Sequence, residues 1–537
     1  MVHYKLHAYV ADHVDQKVIQ AIAGNSLENA IIYVKDEILF LGLPLIIFLI
    51  IFLFLLKKIP AETSSETKRH WQKTAYTASA LIFILVTITA NRSVTMNSNR
   101  SIAFSTFHKS AHILTDWDMD GSSYVSLPAD IAPFNSTIHW GALDIPGNGI
   151  DENGLGGDLP KTLPTQLNRK THSLPSRYKH LAIIVSESTR SDILVQRLNG
   201  KYIAPNLRAL AQSGSTIDHA FSHAGFTANS LYTLFSGNLL YTKKTESVFE
   251  HARKKDFEIS VISGQDETWG DLDTRLGTRE SADYFYDPQT DPEQRVYPSK
   301  LPSSIKLADE TLVEAFEKRL GNINTNKRQL FYFNLQSGHF PYYHHRMPLN
   351  FVEASIPRSH INIDNKKWVA DTYWNAMSYM DTNLGHIVNA LKEKGILEET
   401  LILFMGDHGE SLFHDSFLGH GHNINRDQLQ IPLVLSVPDI HFEAPIGIID
   451  IYQWLDSFVG QSQNTASTLD KVGDCVFMYT GYLFSPAQIG KICTGEKDPS
   501  VYTIAFDDYK GGGSKENSTS KIDLIHHWER LLFDESQ

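Results

Sequence analysis

The chain has 537 residues, and its 61 acidic against 48 basic side chains give a net charge of -13. The length allows roughly two to four domains, and the acidic balance excludes a general nucleic-acid binder. Two cysteines, Cys475 and Cys493, are too few for a thiol metal cluster; in an extracytoplasmic domain they are expected to form one disulfide.

Residues 38–56, ILFLGLPLIIFLIIFLFLL, are uncharged and mostly apolar with no polar face, long enough to cross a bilayer. A second, weaker span is expected at about Thr74 to Ala90. Between them Lys57, Lys58, Lys68, Arg69 and Lys73 outweigh Glu62 and Glu66, so that loop is expected on the cytoplasmic side and everything after Asn91 outside. The chain therefore divides into an N-terminal segment (1–37), a two-span anchor (38–91), a juxtamembrane linker (92–178), a catalytic region (179–460) and its C-terminal extension (461–537), which is expected to add edge strands to the catalytic sheet.

Within the linker, DWDMDG places Asp116, Asp118 and Asp120 at alternate positions before Gly121, the opening of a calcium loop. Its twelfth position is Leu127 rather than Glu, which favours an Asp-rich turn over a calcium site. Asn135-Ser-Thr and Asn517-Ser-Thr are glycosylation sequons should the compartment use them.

Leu181 to Val185 reads as a buried strand running into Ser186, Glu187, Ser188, Thr189, Arg190, Ser191 and Asp192. Leu401 to Met405 is a second such strand, ending in Gly406, Asp407, His408 and Gly409. Acids at the carboxyl ends of parallel strands sit where open α/β sheets place their ligand crevice, and the two converge if their strands are neighbours. Between them, Leu231, Leu234 and Phe235 have helical spacing after the small-residue turn Ala224-Gly225, which puts Thr227 at a helix N-terminus. Thr227 is either a plain N-cap or a nucleophile activated by a bound cation and the helix dipole.

A strand over Ile259 to Ser263 leads into GQDETWGD, Gly264 to Asp271, where Gln265 and Trp269 face an acceptor or simply pack. The apolar run in QLFYFNLQSGHFPYY ends at Ser337, Gly338 and His339, whose side chain is aimed at the same crevice edge. A long helix, about Lys366 to Lys394, carries Trp374, Met377, Tyr379, Met380, Leu384, Ile387 and Leu391 on its core side. His420 and His422 lie in a glycine loop about a dozen residues beyond the Asp-His pair.

In this order the motifs over about 179–438 resemble the alkaline phosphatase superfamily, in its branch of membrane-anchored, sulfatase-like phosphoethanolamine and phosphoglycerol transferases. ESTRSD is similar to the family's zinc-binding glutamate motif, GFTANS to its threonine nucleophile, GDHGES to its aspartate and histidine ligands, SGHFPYY to its substrate-contacting histidine, and GHG to its late histidine-glycine motif. The resemblance implies an α/β, alkaline phosphatase-like sandwich with a mainly parallel central sheet flanked by helices. It implies a divalent metal, zinc with manganese as the alternative, held by Glu187, Thr227, Asp407 and His408, and catalytic work by Thr227, His339 and His420. His339, His420, His422 and Gln265 are expected to touch substrate: a phospholipid donor and a glycan or lipid acceptor, handled outside the plasma membrane. The chain departs from lipid A-modifying relatives in having His223, Ala224 and Gly225 where they have cysteines, and two spans where they have about five. It departs from sulfatases in lacking a Cys or Ser nucleophile with its Pro and Arg; a hydrolase of sulfuric or phosphoric esters is the alternative reading.

Overall fold

The computed structural model describes residues 102–536 apart from 127–128, 164–168, 242–244, 298–304, 462–467, 485 and 504–517. Both expected membrane spans and Asn517 lie outside the described residues, among which no helix is long and apolar enough to cross a membrane.

Helix α1 (Ile102–Thr115) lies within the 92–178 linker region. The α/β body then runs β1 (His180–Ser186), α2 (Pro205–Ser213), β2 (Ser215–Thr216), α3 (Thr227–Ser236), α4 (Val248–Lys254), β3 (Glu258–Ser263), β4 (Tyr284–Tyr286), α5 (Asp309–Leu320), β5 (Gln329–Leu335), α6 (Lys366–Glu393), β6 (Thr400–Gly406), β7 (Leu433–Leu435) and α7 (Ile448–Gly460). The seven strands form one sheet in the order β2-β7-β6-β1-β5-β3-β4. Pairings from β6 across to β4 are parallel, and β7 reverses at the other side. The expected mainly parallel sheet is thus present with one reversed strand.

β1, β5 and β6 are buried at every position, which is why they read as unbroken apolar runs rather than alternating ones. Alternate side chains feed two separate cores. Leu181, Ile183 and Val185 pack with Leu231 and Phe235 of α3, Phe249 of α4 and Trp454 of α7. Ala182 and Ile184 face the other way, toward Leu207 of α2, Phe316 of α5 and Met377 and Leu384 of α6. Each large apolar side chain so buried contributes about 1.5–3 kcal/mol, and together they fix the sheet between two helical layers. Helix α6 buries the predicted Trp374, Met377, Tyr379, Met380, Leu384, Ile387 and Leu391.

The C-terminal stretch corrects one expectation. Instead of adding edge strands to the central sheet, its first strand, Thr468–Val472, pairs with Arg169–Ser173, and the rest forms an antiparallel sheet of β8 (Cys475–Gly481), β9 (Pro486–Cys493) and β10 (Ser500–Thr503). Both of its faces carry apolar side chains: Tyr479, Ile489 and Tyr502 pack under Leu524, Ile525, Trp528 and Leu532 of α8 (Ser518–Ser536), while Val476, Met478 and Ile492 pack with Phe221, Ile424 and Leu429. Cys475 and Cys493 stand opposite each other in register and form the expected disulfide. This unit braces the turn ahead of α3: the Tyr479 N–H donates to His223 O at 2.9 Å, and Asn229 Nδ2 to the Tyr479 hydroxyl at 2.8 Å.

Candidate active site

Strand register brings the two acids together. In the parallel pair, Val185 lies opposite Met405 and Ser186 opposite Gly406, so Glu187 and Asp407 are the next residues along on neighbouring strands. Both are about 1% exposed. Beyond the strand end Ser188 adopts φ 53°, which turns its N–H onto Asp407 Oδ1 at 2.9 Å. On the other flank Gly338 follows β5 so closely that a Cβ there would fall 2.1 Å from Glu187 O.

Thr227 is the first residue of α3, as its sequence context implied, and is 6% exposed. Its Oγ1 lies 3.1 Å from Glu187 Oε2 and 3.2 Å from His408 Nε2. His408 Nδ1 donates to Gly409 O at 2.9 Å, leaving the Nε2 lone pair for the site. That nitrogen is also 3.3 Å from Asp407 Oδ2 and 3.8 Å from Glu187 Oε1.

Burial, then the Glu187 carboxylate, pushes Asp407 up to about 7. Burial alone would raise Glu187 as well, but the basic side chains around it, His339, His408 and Lys306, hold it well below the usual carboxylate range. Asp407 Oδ2 is buried with no hydrogen-bond partner, a costly state for a carboxylate oxygen. Ligand atoms around a tetrahedral ion with bonds near 2.0–2.1 Å stand about 3.3 Å apart, close to the Thr227–Glu187, Thr227–His408 and His408–Asp407 separations. Two carboxylates, one of them with an orphaned oxygen, an imidazole and a hydroxyl therefore fit a divalent cation.

A β-hairpin explains His420. Ser411 and Leu412 pair with Gly419 and Leu418, which folds the chain back and lays His420 Nδ1 2.7 Å from Glu410 Oε2. Its ring centroid is 4.0 Å from that of His408, and Glu187, His408 and His420 each offer a ligand atom within 4.8 Å of the others. His420, expected at the substrate, therefore stands beside the metal position. Glu410 is buried, accepts from the Tyr342 hydroxyl as well, and was not singled out in the sequence.

A cleft lies over this floor, lined by Glu187, Thr227, Gln265, Asp266, Trp269, Lys306 and His339. Gln265 is where the sequence placed it, with a buried Nε2 that has no partner. Burial, then the Lys306 charge, push His339 down to about 3, and its Nδ1 donates to Phe340 O at 2.7 Å. Lys306 is a residue that sequence reasoning missed. It is buried, donates to Gln336 Oε1 at 2.9 Å, and burial pushes its ammonium down to about 7 against the pull of Glu187 and Asp407. His422 is not part of this lining; its ring stacks on Phe417, 6.3 Å between centroids, and its N–H donates to Gln428. The arginine of ESTRSD is an internal strut: the Arg190 guanidinium bonds Asp192, Asp427 and Glu410 O, tying the Glu187 turn to the hairpin that carries His420.

A family model described as Sulfatase matches residues 179–467, more than half of the chain and the whole of the region that builds this site. The chain belongs to the sulfatase family. Within curated proteins, this sulfatase-family chain is 26% identical over 294 residues to a lipoteichoic acid synthase-like protein, YvgJ, of Bacillus subtilis, covering 51% of the chain and 45% of the relative. It is 24% identical over 306 residues to the lipoteichoic acid synthase of Staphylococcus aureus, covering 52% and 44%. The chain thus spans under half the length of these curated relatives. Among solved structures, the lipoteichoic acid synthase LtaP of Listeria monocytogenes aligns with a TM-score of 0.46 at 15% identity, over 67% of this chain and 91% of that one. The periplasmic domain of the phosphoethanolamine transferase EptC from Campylobacter jejuni aligns at 0.40 and 18%, over 52% and 88%.

Proposed function

We propose that the chain is a phospholipid head-group transferase. Thr227 takes phosphoethanolamine or phosphoglycerol from a phospholipid as a phosphothreonine, then yields it to a hydroxyl of a cell-envelope glycan or lipid. The observation that carries this reading is the Thr227 hydroxyl itself, at the start of α3 and at the cleft floor, 3.1 Å from Glu187 and 3.2 Å from His408.

Glu187, Asp407, His408 and the Thr227 oxygen would hold a divalent cation, zinc or manganese. When bound, it lowers the hydroxyl's pKa and offsets phosphoryl charge. In the first step a bond forms from Thr227 Oγ1 to phosphorus while the bond from phosphorus to the diacylglycerol oxygen breaks. Thr227 loses a proton and the leaving oxygen gains one; we assign the transfer to His339, which lines the cleft with its Nδ1 committed to Phe340 O. In the second step the acceptor oxygen bonds to phosphorus and the Thr227 oxygen leaves with a proton. Lys306 offsets the charge on the non-bridging oxygens, His420 borders them from the metal side, and Gln265 faces the acceptor.

The reaction takes place outside the plasma membrane, with the 38–91 anchor holding the cleft near its lipid donor. The Cys475–Cys493 disulfide suits that oxidising compartment. The sulfatase description of the family keeps one competitor in view, a hydrolase of sulfuric or phosphoric esters. The two are separated by supplying phospholipid with and without a hydroxyl acceptor, beside a soluble chromogenic ester. Transfer that requires the lipid and is lost in Thr227→Ala, which still folds and binds metal, supports the transferase; release from the soluble ester at a comparable rate, with no need for lipid, overturns it.

A further inference from the structure

Just after α1 the chain builds a second group of oxygens that the catalytic cleft does not use. Asp116, Asp118 and Asp120 bring carboxylate oxygens within 4.8 Å of one another. Asp116 is engaged by the N–H groups of Asp120 and Gly121 at 3.2 and 3.1 Å, and Asp120 Oδ1 by the Ser122 N–H at 2.7 Å. Gly121 takes φ +88°, the left-handed turn that lets the loop curl around its own carboxylates. Both oxygens of Asp118 and Oδ2 of Asp120 are shielded from solvent and have no hydrogen-bond partner.

A separate residue joins them. Asp130 is only 7% exposed. Its N–H donates to Ser123 O at 2.8 Å and its Oδ1 accepts from the Ala132 N–H at 2.8 Å, yet its Oδ2 is buried without a partner. Burial raises Asp120 first, the Ser122 N–H and His139 draw it down, and the charges of Asp118 and then Asp130 push it up, which puts Asp130 in the electrostatic surroundings of the loop. Ser123, fully buried, leaves its hydroxyl without a partner too. The sequence offered Leu127 at the twelfth loop position, where a calcium loop needs an acid. The fold supplies an acid three residues later instead.

Buried carboxylate oxygens without donors are expensive, and the three clustered side chains offer oxygen alone, with the His139 imidazole the basic group that acts on Asp120. Oxygen-only donors of high negative charge select a hard cation, and a flexible loop of this kind suits the larger, less exacting one. We propose that Asp116, Asp118, Asp120 and Asp130 form a structural Ca2+ site that ties the end of α1 to the turn at Asp130. It is separate from the Glu187 centre in both residues and donor chemistry.

The loop carries its own reporter. Trp117 lies between two of the acids and stacks on Phe134 with centroids 5.1 Å apart, so excitation of Trp117 will sensitise Tb3+ bound beside it. The experiment titrates the full chain, stripped with EDTA, with Tb3+ and then displaces it with Ca2+, comparing wild type, Asp118→Asn/Asp120→Asn, and Glu187→Gln. The site predicts sensitised emission that Ca2+ displaces, that survives Glu187→Gln, and that is lost in the double variant. Absence of emission in the wild type, failure of Ca2+ to displace it, its persistence in the double variant, or its loss on Glu187→Gln alone overturns the proposal. Should the double variant lose the near-UV circular dichroism of the native chain, Asp130→Asn decides. A Ca2+ midpoint raised about tenfold or more supports the site, and an unchanged midpoint overturns it.

Discussion

Glu410 Oε2 holds His420 Nδ1 at 2.7 Å, ten residues away across a hairpin, and so presents the other ring nitrogen to the centre built on Glu187 and His408. Partners of this kind fix tautomer and ring direction, and losing one typically costs about 10–100-fold in metal affinity or activity. Glu410→Gln is therefore expected to lower turnover by that order and weaken retention of the catalytic metal, while thermal unfolding changes little. Wild-type turnover and metal content in Glu410→Gln would show that the pair is only structural.

Lys306 brings positive charge into a cleft whose floor holds two carboxylates. Removing one preorganised donor to developing charge typically costs about 10²–10³ in kcat. Lys306→Met is expected to lose at least the lower figure in kcat, with KM changed less. A variant that raises KM alone would place Lys306 in ground-state binding instead.

Gly338 has no room for a side chain, since a Cβ would meet Glu187 O at 2.1 Å and the Met377 methyl at 2.8 Å. Overpacking of this kind costs about 1–3 kcal/mol, and here the strain falls on the peptide that positions Glu187. Gly338→Ala is expected to lower the urea midpoint and to reduce turnover about 10²-fold through misplacement of that carboxylate. Retained wild-type turnover in this variant would contradict the packing argument.

His223 couples the turn ahead of α3 to the C-terminal unit: its Nδ1 donates to Phe477 O at 2.7 Å, and the Ile449 N–H reaches its Nε2. Burial pushes it down from 6.5 to about 4, with Asp450 and Lys471 the charged groups facing it. A folded value below the unfolded one means that the unfolded chain takes up the proton first. The stabilisation from neutral His223 is complete above the unfolded value and is lost as pH falls from 6.5 toward 4, with a slope of at most about 1.4 kcal/mol per pH unit. Urea unfolding between about pH 7.5 and about pH 5 should fall more steeply for wild type than for His223→Gln. Equal slopes would exclude His223 as the source.

Much of this was legible in the sequence because strand ends announce themselves. The apolar runs before Glu187, His339 and Asp407 became neighbouring strands, and the spacing after Thr227 became α3. Lys306 had no such signal: it reaches the cleft through an isolated bridge to Gln265, with no periodic pattern around it. Glu410 stood in plain view beside His408, but its role depends on a hairpin whose strands are two residues each, too short to leave an alternation. The C-terminal strands read as edge strands because a short apolar strand looks alike whichever sheet it joins; only pairing distinguishes them.

The most direct measurement of the central claim is the intact mass of the full chain after incubation with phospholipid in the absence of an acceptor, with the modified residue located by peptide mapping. The account predicts an adduct on Thr227 of about 123 Da for phosphoethanolamine or about 154 Da for phosphoglycerol, absent in Thr227→Ala and discharged when an acceptor is added. Turnover with no adduct on Thr227 under any trapping condition, or an adduct on another residue that survives Thr227→Ala, would contradict it.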